Sequence, residues 1–137
     1  MDEATLSLAR EWLAKAAGDL ASARKLAAEP DPILDTAIYH CQQAGEKAVK
    51  AFLILAGERF EKTHDVRLLV EQASALEPRF AQLLPDGELL TPYATEYRYP
   101  DMPSVPTAEE FAEAVQSAET VLQFVLALHP ELTAGGA

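Results

Sequence analysis

Leu6, Ala9, Leu13, Ala16, Leu20, Ala23 and Ala27 recur at alternating steps of three and four, the spacing of one face of a long amphipathic helix. Asp2 stands where its side chain would cap that helix, and Trp12 lies beside the stripe, where its ring widens the buried face or packs at an interface. Gly18 and Asp19 are not explained by the periodicity. Glu29-Pro30-Asp31-Pro32 ends this element and starts another, with Asp31 the expected N-cap and Pro32 preset for the first turn. In the second helix Leu34, Ala37, Cys41, Ala44, Ala48, Phe52 and Leu55 share one half, and Gly57 is the natural stop. So short a connection makes these two helices antiparallel neighbours.

Thr63 is the expected cap of a third helix carrying Val66, Leu69, Val70, Ala73 and Leu76, which Pro78 breaks. Phe80, Leu83 and Leu84 suggest a short helical turn before Pro85-Asp86-Gly87 interrupts again. Leu89, Leu90, Tyr93 and Tyr97 return to helical spacing in a segment that begins at Thr91 or kinks at Pro92. Pro100, Pro103 and Pro106 hold residues 98–106 extended. Thr107 and Glu110 form a capping box for a last helix with Phe111, Ala114, Val115, Ala118, Leu122, Val125 and Leu128 on its core side. The pattern predicts an all-α fold with residues 1–132 as one domain, and residues 133–137 as a small-residue tail that frays.

Composition narrows the function classes. The 137 residues are 49% hydrophobic, enough apolar surface for an independent core, and only 7% aromatic. Cys41 is the single cysteine and falls on the apolar side of its helix, so neither an intrachain disulfide nor a cysteine zinc site forms; a buried structural thiol is expected. The chain opens on Met-Asp-Glu without a basic and then apolar stretch, and no run approaches the roughly 18 residues that span a bilayer, so a cytoplasmic, membrane-free protein is expected. A formal charge of -11 opposes a broad electrostatic grip on nucleic acid, which disfavours RNA and requires any phosphate site to be local. His40, His64 and His129 make no metal-ligand spacing, and the glycines make no phosphate loop, so no metal and no cofactor are expected.

Three polar islands carry the candidate chemistry. On the second helix Tyr39, Gln42, Gln43, Glu46, Lys47 and Lys50, with His40 at the margin, lie opposite the apolar half. They offer donors for phosphate or sugar oxygens and a ring for stacking; the alternative is a solvated face with a Glu46–Lys50 pair at i,i+4. Lys62-Thr63-His64-Asp65 places a cation, a hydroxyl and an imidazole at a helix start that favours anions, or simply caps it. In Tyr97-Arg98-Tyr99-Pro100-Asp101 the arginine suits a forked bond to phosphate with Tyr97 or Tyr99 stacking on a base; the alternative is a structural pair of Arg98 with Asp101 or Glu96. Lys47, Lys50, His64, Arg98, Tyr39, Gln43 and Tyr99 are therefore the candidate nucleotide- or phosphate-binding residues, with Lys47, Lys50, His64 and Arg98 converging on one anion. No catalytic residue is assigned.

Trp12, Asp19-Leu20, the run His40-Cys41-Gln42-Gln43-Ala44-Gly45-Glu46-Lys47 with Lys50-Ala51, then Lys62-Thr63-His64-Asp65 and Arg98-Tyr99-Pro100-Asp101 together resemble the HEPN domain over roughly residues 8–128. The resemblance implies an up-and-down bundle of four main helices with a short additional one, a homodimer, and a minimal nucleotidyltransferase as partner in a toxin and antitoxin pair. Many such domains are metal-independent ribonucleases whose motif is an arginine followed four to six residues later by a histidine near the last main helix. Here no histidine follows Arg98 until His129. Arg59 and His64 have that separation but precede the third helix, where the spacing reads as chance. The expectation is a noncatalytic nucleotide-binding dimer with a transferase partner; the alternatives are a ribonuclease toxin and a structural adaptor without ligand.

Overall fold

The computed structural model describes residues 2–60, 62–100 and 104–134. Helix α1 (Glu3–Leu26) is followed by α2 (Leu34–Leu55), α3 (Val66–Leu76), a 3-10 turn (Pro78–Leu83), α4 (Leu84–Leu90), a second 3-10 turn (Thr91–Ala94), α5 (Ala108–Leu128) and α6 (Glu131–Ala134). No strand occurs among the described residues, and no helix there is long and apolar enough to cross a membrane. The four longer helices form the bundle and the short ones pack against it.

Small residues bring α1 and α2 together. Ala9, Ala16 and Ala23 on α1 and Ala37, Ala44, Ala48 and Ala51 on α2 are fully buried, with Leu13 and Leu20 interleaved along the α1 stripe. Asp2 caps α1 through a 2.7 Å bond from the Thr5 amide. Helix α2 ends as its glycine predicts: Gly57 takes φ +77, its N–H bonds to the Ile54 carbonyl and the Glu58 N–H reaches back to Leu53, which satisfies carbonyls the helix leaves open. Thr107 and Glu110 complete the capping box of α5 with bonds of 3.0 and 2.9 Å. Phe52, Phe80 and Phe124 join α2, the first 3-10 turn and α5 through ring contacts of 4.4 and 4.8 Å.

Several boundaries differ from the sequence pattern. Helix α2 starts at Leu34 with Ile33 in the cap position and no side-chain cap, so Asp31 is not its N-cap. The cap of α3 is Asp65, whose carboxylate accepts the Leu68 amide at 3.0 Å; Thr63 instead accepts the Asp65 amide and shapes the approach. Pro85-Asp86-Gly87 does not interrupt: Pro85 occupies the first turn of α4, where its missing N–H costs nothing. Pro92 likewise lies at the second position of the second 3-10 turn, which Thr91 starts. Thr133 and Ala134 belong to α6, which Leu132 anchors in the core; residues 135–137 and the connector residues Asp101 to Pro103 lie outside the described residues.

Two glycines set helix approaches of different stiffness. A Cβ on Gly87 would stand 2.9 Å from the Arg67 Cα and 3.1 Å from its N, atoms of the α3 backbone. A Cβ on Gly45 would stand 2.7 Å from Leu90 Cδ1, the movable end of a side chain. Gly87→Ala is therefore expected to lower unfolding free energy in a urea titration by about 1–3 kcal/mol, the usual cost of overpacking. Gly45→Ala should stay within about 1 kcal/mol of wild type, because helix propensity offsets the displaced leucine. Equal stability of Gly87→Ala and wild type would refute the close approach of α4 to α3.

Candidate functional site

The polar face of α2 is not solvated. Helix α3, α4 and the second 3-10 turn pack on it, leaving Gln42 at 0%, Gln43 at 8%, Glu46 at 4% and Lys50 at 6% exposure. Buried polar groups at this depth require partners. All buried side-chain nitrogens and oxygens among the described residues have one.

Glu46 is the acceptor that satisfies most of them. Its Oε2 takes the Lys50 ammonium at 2.9 Å, while Oε1 faces Gln42 Nε2 at 3.0 Å and His64 Nδ1 at 2.9 Å. Gln42 Nε2 also donates to the His64 carbonyl at 2.8 Å, and Gln43 donates to Gln42 Oε1 at 2.8 Å. The Lys50 ammonium lies 5.0 Å from the Phe60 ring centroid and 5.6 Å from that of Trp12, and those two rings meet edge to face. Burial, the largest single influence on Glu46, pushes its carboxyl up. The bonds from Lys50, His64 and Gln42 together outweigh it and hold the carboxyl below its ordinary value.

Asp19 is the second acceptor. Projecting from α1 at the edge of the α1–α2 seam, it takes His40 Nδ1 on one oxygen and the Lys47 ammonium on the other, both at 2.7 Å. Lys47 and His40 lie seven residues apart on α2, two turns, so one carboxylate can reach both. Beside this pair His40 also borders a cleft of about 320 Å³ lined by Asp35, Thr36, Tyr39, Tyr97 and Arg98. The Arg98 guanidinium lies 3.8 Å over the Tyr39 ring, and His40 meets that ring edge to face. Tyr97 has φ +67 and turns its own ring to Tyr93 and its hydroxyl toward Glu110 at 3.4 Å.

The candidate residues are thus divided among three groupings. Lys50, His64 and Gln43 belong to the Glu46 network, and Lys47 to Asp19. Tyr39 and Arg98 form the stacked wall of the cleft, while Tyr99 is 60% exposed. The solvated-face alternative for α2 fails, although its Glu46–Lys50 pair forms, buried rather than at the surface. At the start of α3 the anion is Asp65 itself. Arg98 makes no ion pair with Glu96 among the described residues, and Asp101 lies outside them. Cys41 is fully buried, and burial raises its thiol to about 12, as suits an inert structural residue. No metal-binding cluster occurs among the described residues.

Periodicity missed Asp19, Glu46 and His40 as organising groups. The available signal was charge: a lone carboxylate at the margin of the α1 core stripe, facing a helix with an imidazole and a lysine two turns apart.

A family model described as HEPN domain matches residues 9–128. The crystal structure of an archaeal HEPN homologue aligns with a TM-score of 0.67 and 24% identity over 88% of this chain and 96% of that one, a likeness of fold. Comparison with curated proteins gives no match.

Glu46→Gln keeps the shape of the network and removes the charge that neutralises Lys50. Breaking a buried pair this way is expected to cost about 3–5 kcal/mol at neutral pH. Because the folded Glu46 carboxyl lies below its ordinary value of 4.5, its stabilisation is present above that value and is lost as pH falls through the folded one. Urea titrations from pH 7 to pH 3 should show the gap between wild type and Glu46→Gln narrow only in acid. A gap that is absent at pH 7, or that widens in acid, would show that Lys50 does not depend on this carboxylate.

Proposed function

This chain belongs to the HEPN family, and we propose that it acts there as a noncatalytic, homodimeric nucleotide- and phosphate-binding module that partners a minimal nucleotidyltransferase in a toxin and antitoxin pair. The transferase, the pairing and the dimer rest on the family resemblance. The nucleotide site rests on one observation, the Arg98 guanidinium stacked 3.8 Å over Tyr39 on the wall of the 320 Å³ cleft that His40 borders. Stacking holds the guanidinium plane in place before a ligand arrives, so its two-pronged bond to a phosphate loses less side-chain freedom on forming. Thr36, Asp35 and the imidazole of His40 supply further donors and acceptors for a sugar or a second phosphate oxygen. A cleft of this size suits a single nucleotide rather than a strand.

Lys47, Lys50 and His64 take a supporting place in this reading. Each is already matched to a carboxylate, so a phosphate would have to displace Asp19 or Glu46 to reach them. With a net charge of -11 the molecule repels phosphate at long range, and binding relies on short charge-assisted bonds.

A metal-independent ribonuclease is the second reading, favoured by His40 bordering the same cleft as Arg98. The imidazole missing four to six residues after Arg98 would thereby be supplied by α2, with its Nδ1 held by Asp19. In that chemistry His40 would take the proton of a ribose 2′-hydroxyl and Arg98 would neutralise the phosphate as the 2′-oxygen attacks. The 5′-oxygen would leave with a proton, giving a 2′,3′-cyclic phosphate and a 5′-hydroxyl.

Calorimetric titration with ATP, UTP and pyrophosphate is expected to give micromolar to millimolar binding that weakens modestly with salt. Arg98→Ala should abolish it, and Arg98→Lys should hurt more than Lys47→Arg, since lysine keeps the charge and loses the fork. Unchanged binding in Arg98→Ala, or none in wild type, refutes the cleft as a nucleotide site. RNA incubated with the protein in chelator should stay intact; cleavage to a cyclic phosphate that disappears in His40→Ala would replace the first reading with the second.

A further inference from the structure

Helix α1 carries a second stripe that the bundle does not use. Ala4, Leu8, Glu11, Lys15, Gly18 and Ser22 recur at steps of four and three on a face turned away from Ala9, Leu13, Ala16, Leu20 and Ala23. All are exposed except the half-buried Ser22, and Leu8 is 45% exposed. From Leu8 to Ser22 this stripe lines an open groove of about 950 Å³, walled by Trp12, Asp19 and Lys47.

Shape and charge along the stripe identify its occupant. A Cβ at Gly18 would meet nothing within 4 Å, so Gly18 leaves a hollow, whereas Leu8 protrudes. Glu11 and Lys15 carry opposite charges, and neither joins an ion pair among the described residues. A two-fold axis crossing α1 at the level of Leu13 makes the stripe its own complement. Leu8 then faces the partner subunit's Gly18, Glu11 faces the partner subunit's Lys15, and Ala4 faces the partner subunit's Ser22, each contact made twice. Sliding by one heptad would set Glu11 against the partner's Leu8 or the partner's Ser22. A parallel arrangement would oppose like charges.

We propose that this face of α1 docks a second copy of the chain, α1 antiparallel to α1, in the register that Glu11 and Lys15 select. Charged pairs at such a position fix register at some cost in desolvation. The proposal rests on the homodimeric reading above and names the surface that makes it.

Sedimentation equilibrium over a dilution series tests both. Wild type is expected at twice the 14.9 kDa chain mass. Gly18→Leu, which fills the hollow, and Glu11→Lys, which opposes two lysines, should each raise the dimer dissociation constant on the order of tenfold or more. Glu11→Lys combined with Lys15→Glu reverses every pair and should restore the dimer; because Glu11→Lys alone also sets two lysines one turn apart on α1, thermal melts by circular dichroism of the single variants should stay near wild type, separating loss of docking from loss of folding. Single variants that dimerise as tightly as wild type would overturn this surface and leave the dimer standing on another. Dissociated single variants without rescue would overturn the register. A wild-type chain that stays monomeric throughout would overturn the surface and the homodimeric reading together.

Discussion

One ion pair in the middle of the bundle constrains everything around it. Glu46 and Lys50 sit one turn apart on α2 with side chains only 5% and 7% exposed. Removing such charges from water is expensive, and their mutual attraction offsets the expense only when every remaining proton and lone pair finds a partner. Those partners come from elsewhere in the chain: Trp12 from α1, Phe60 from the loop after α2, and His64 from the approach to α3. The pair thus specifies how three segments must meet α2.

That constraint decides which cations are available for ligands. Residue types on α2 invite a phosphate-binding reading, since lysines, amides and an imidazole crowd one face. Once α3, α4 and the second 3-10 turn cover that face, its charges neutralise one another and its amides are spent on the same network. Asp19 does the same for Lys47 at the α1–α2 seam. Arg98 stands apart among the described residues because its contact there is with a ring, and a guanidinium set over Tyr39 keeps its N–H groups directed outward in its own plane.

The fold was legible wherever one helix face decides it. The α1 stripe, the glycine stop of α2 and the capping box of α5 are local signals, and each formed as its spacing required. Errors arose where several residues compete for one role. Asp65 displaced Thr63 as the cap of α3 because a carboxylate one step before the helix reaches the Leu68 amide directly. Pro85 looked like a break because a proline that opens a helix and one that ends it are the same residue in sequence. Of the candidate site, the residue types were legible and their grouping was not. Burial of Gln42 and Glu46 depends on helices more than ten residues away in the chain, and helical period alone assigns them to solvent.

Tyr97 links the cleft to the rest of the bundle. A bulky residue at φ +67 is a costly conformation that persists only where its surroundings over-determine it. Here the surroundings are Tyr93, which stacks on its ring at 6.3 Å, and Glu110, which its hydroxyl approaches. Glu110 also closes the capping box of α5, so one carboxylate serves the start of that helix and the orientation of Tyr97. The left-handed turn sends the Tyr97 ring to that side and the next side chain, Arg98, to Tyr39 on α2. Through Tyr97 the residue that caps α5 thus touches the segment that carries Arg98 to the wall of the cleft.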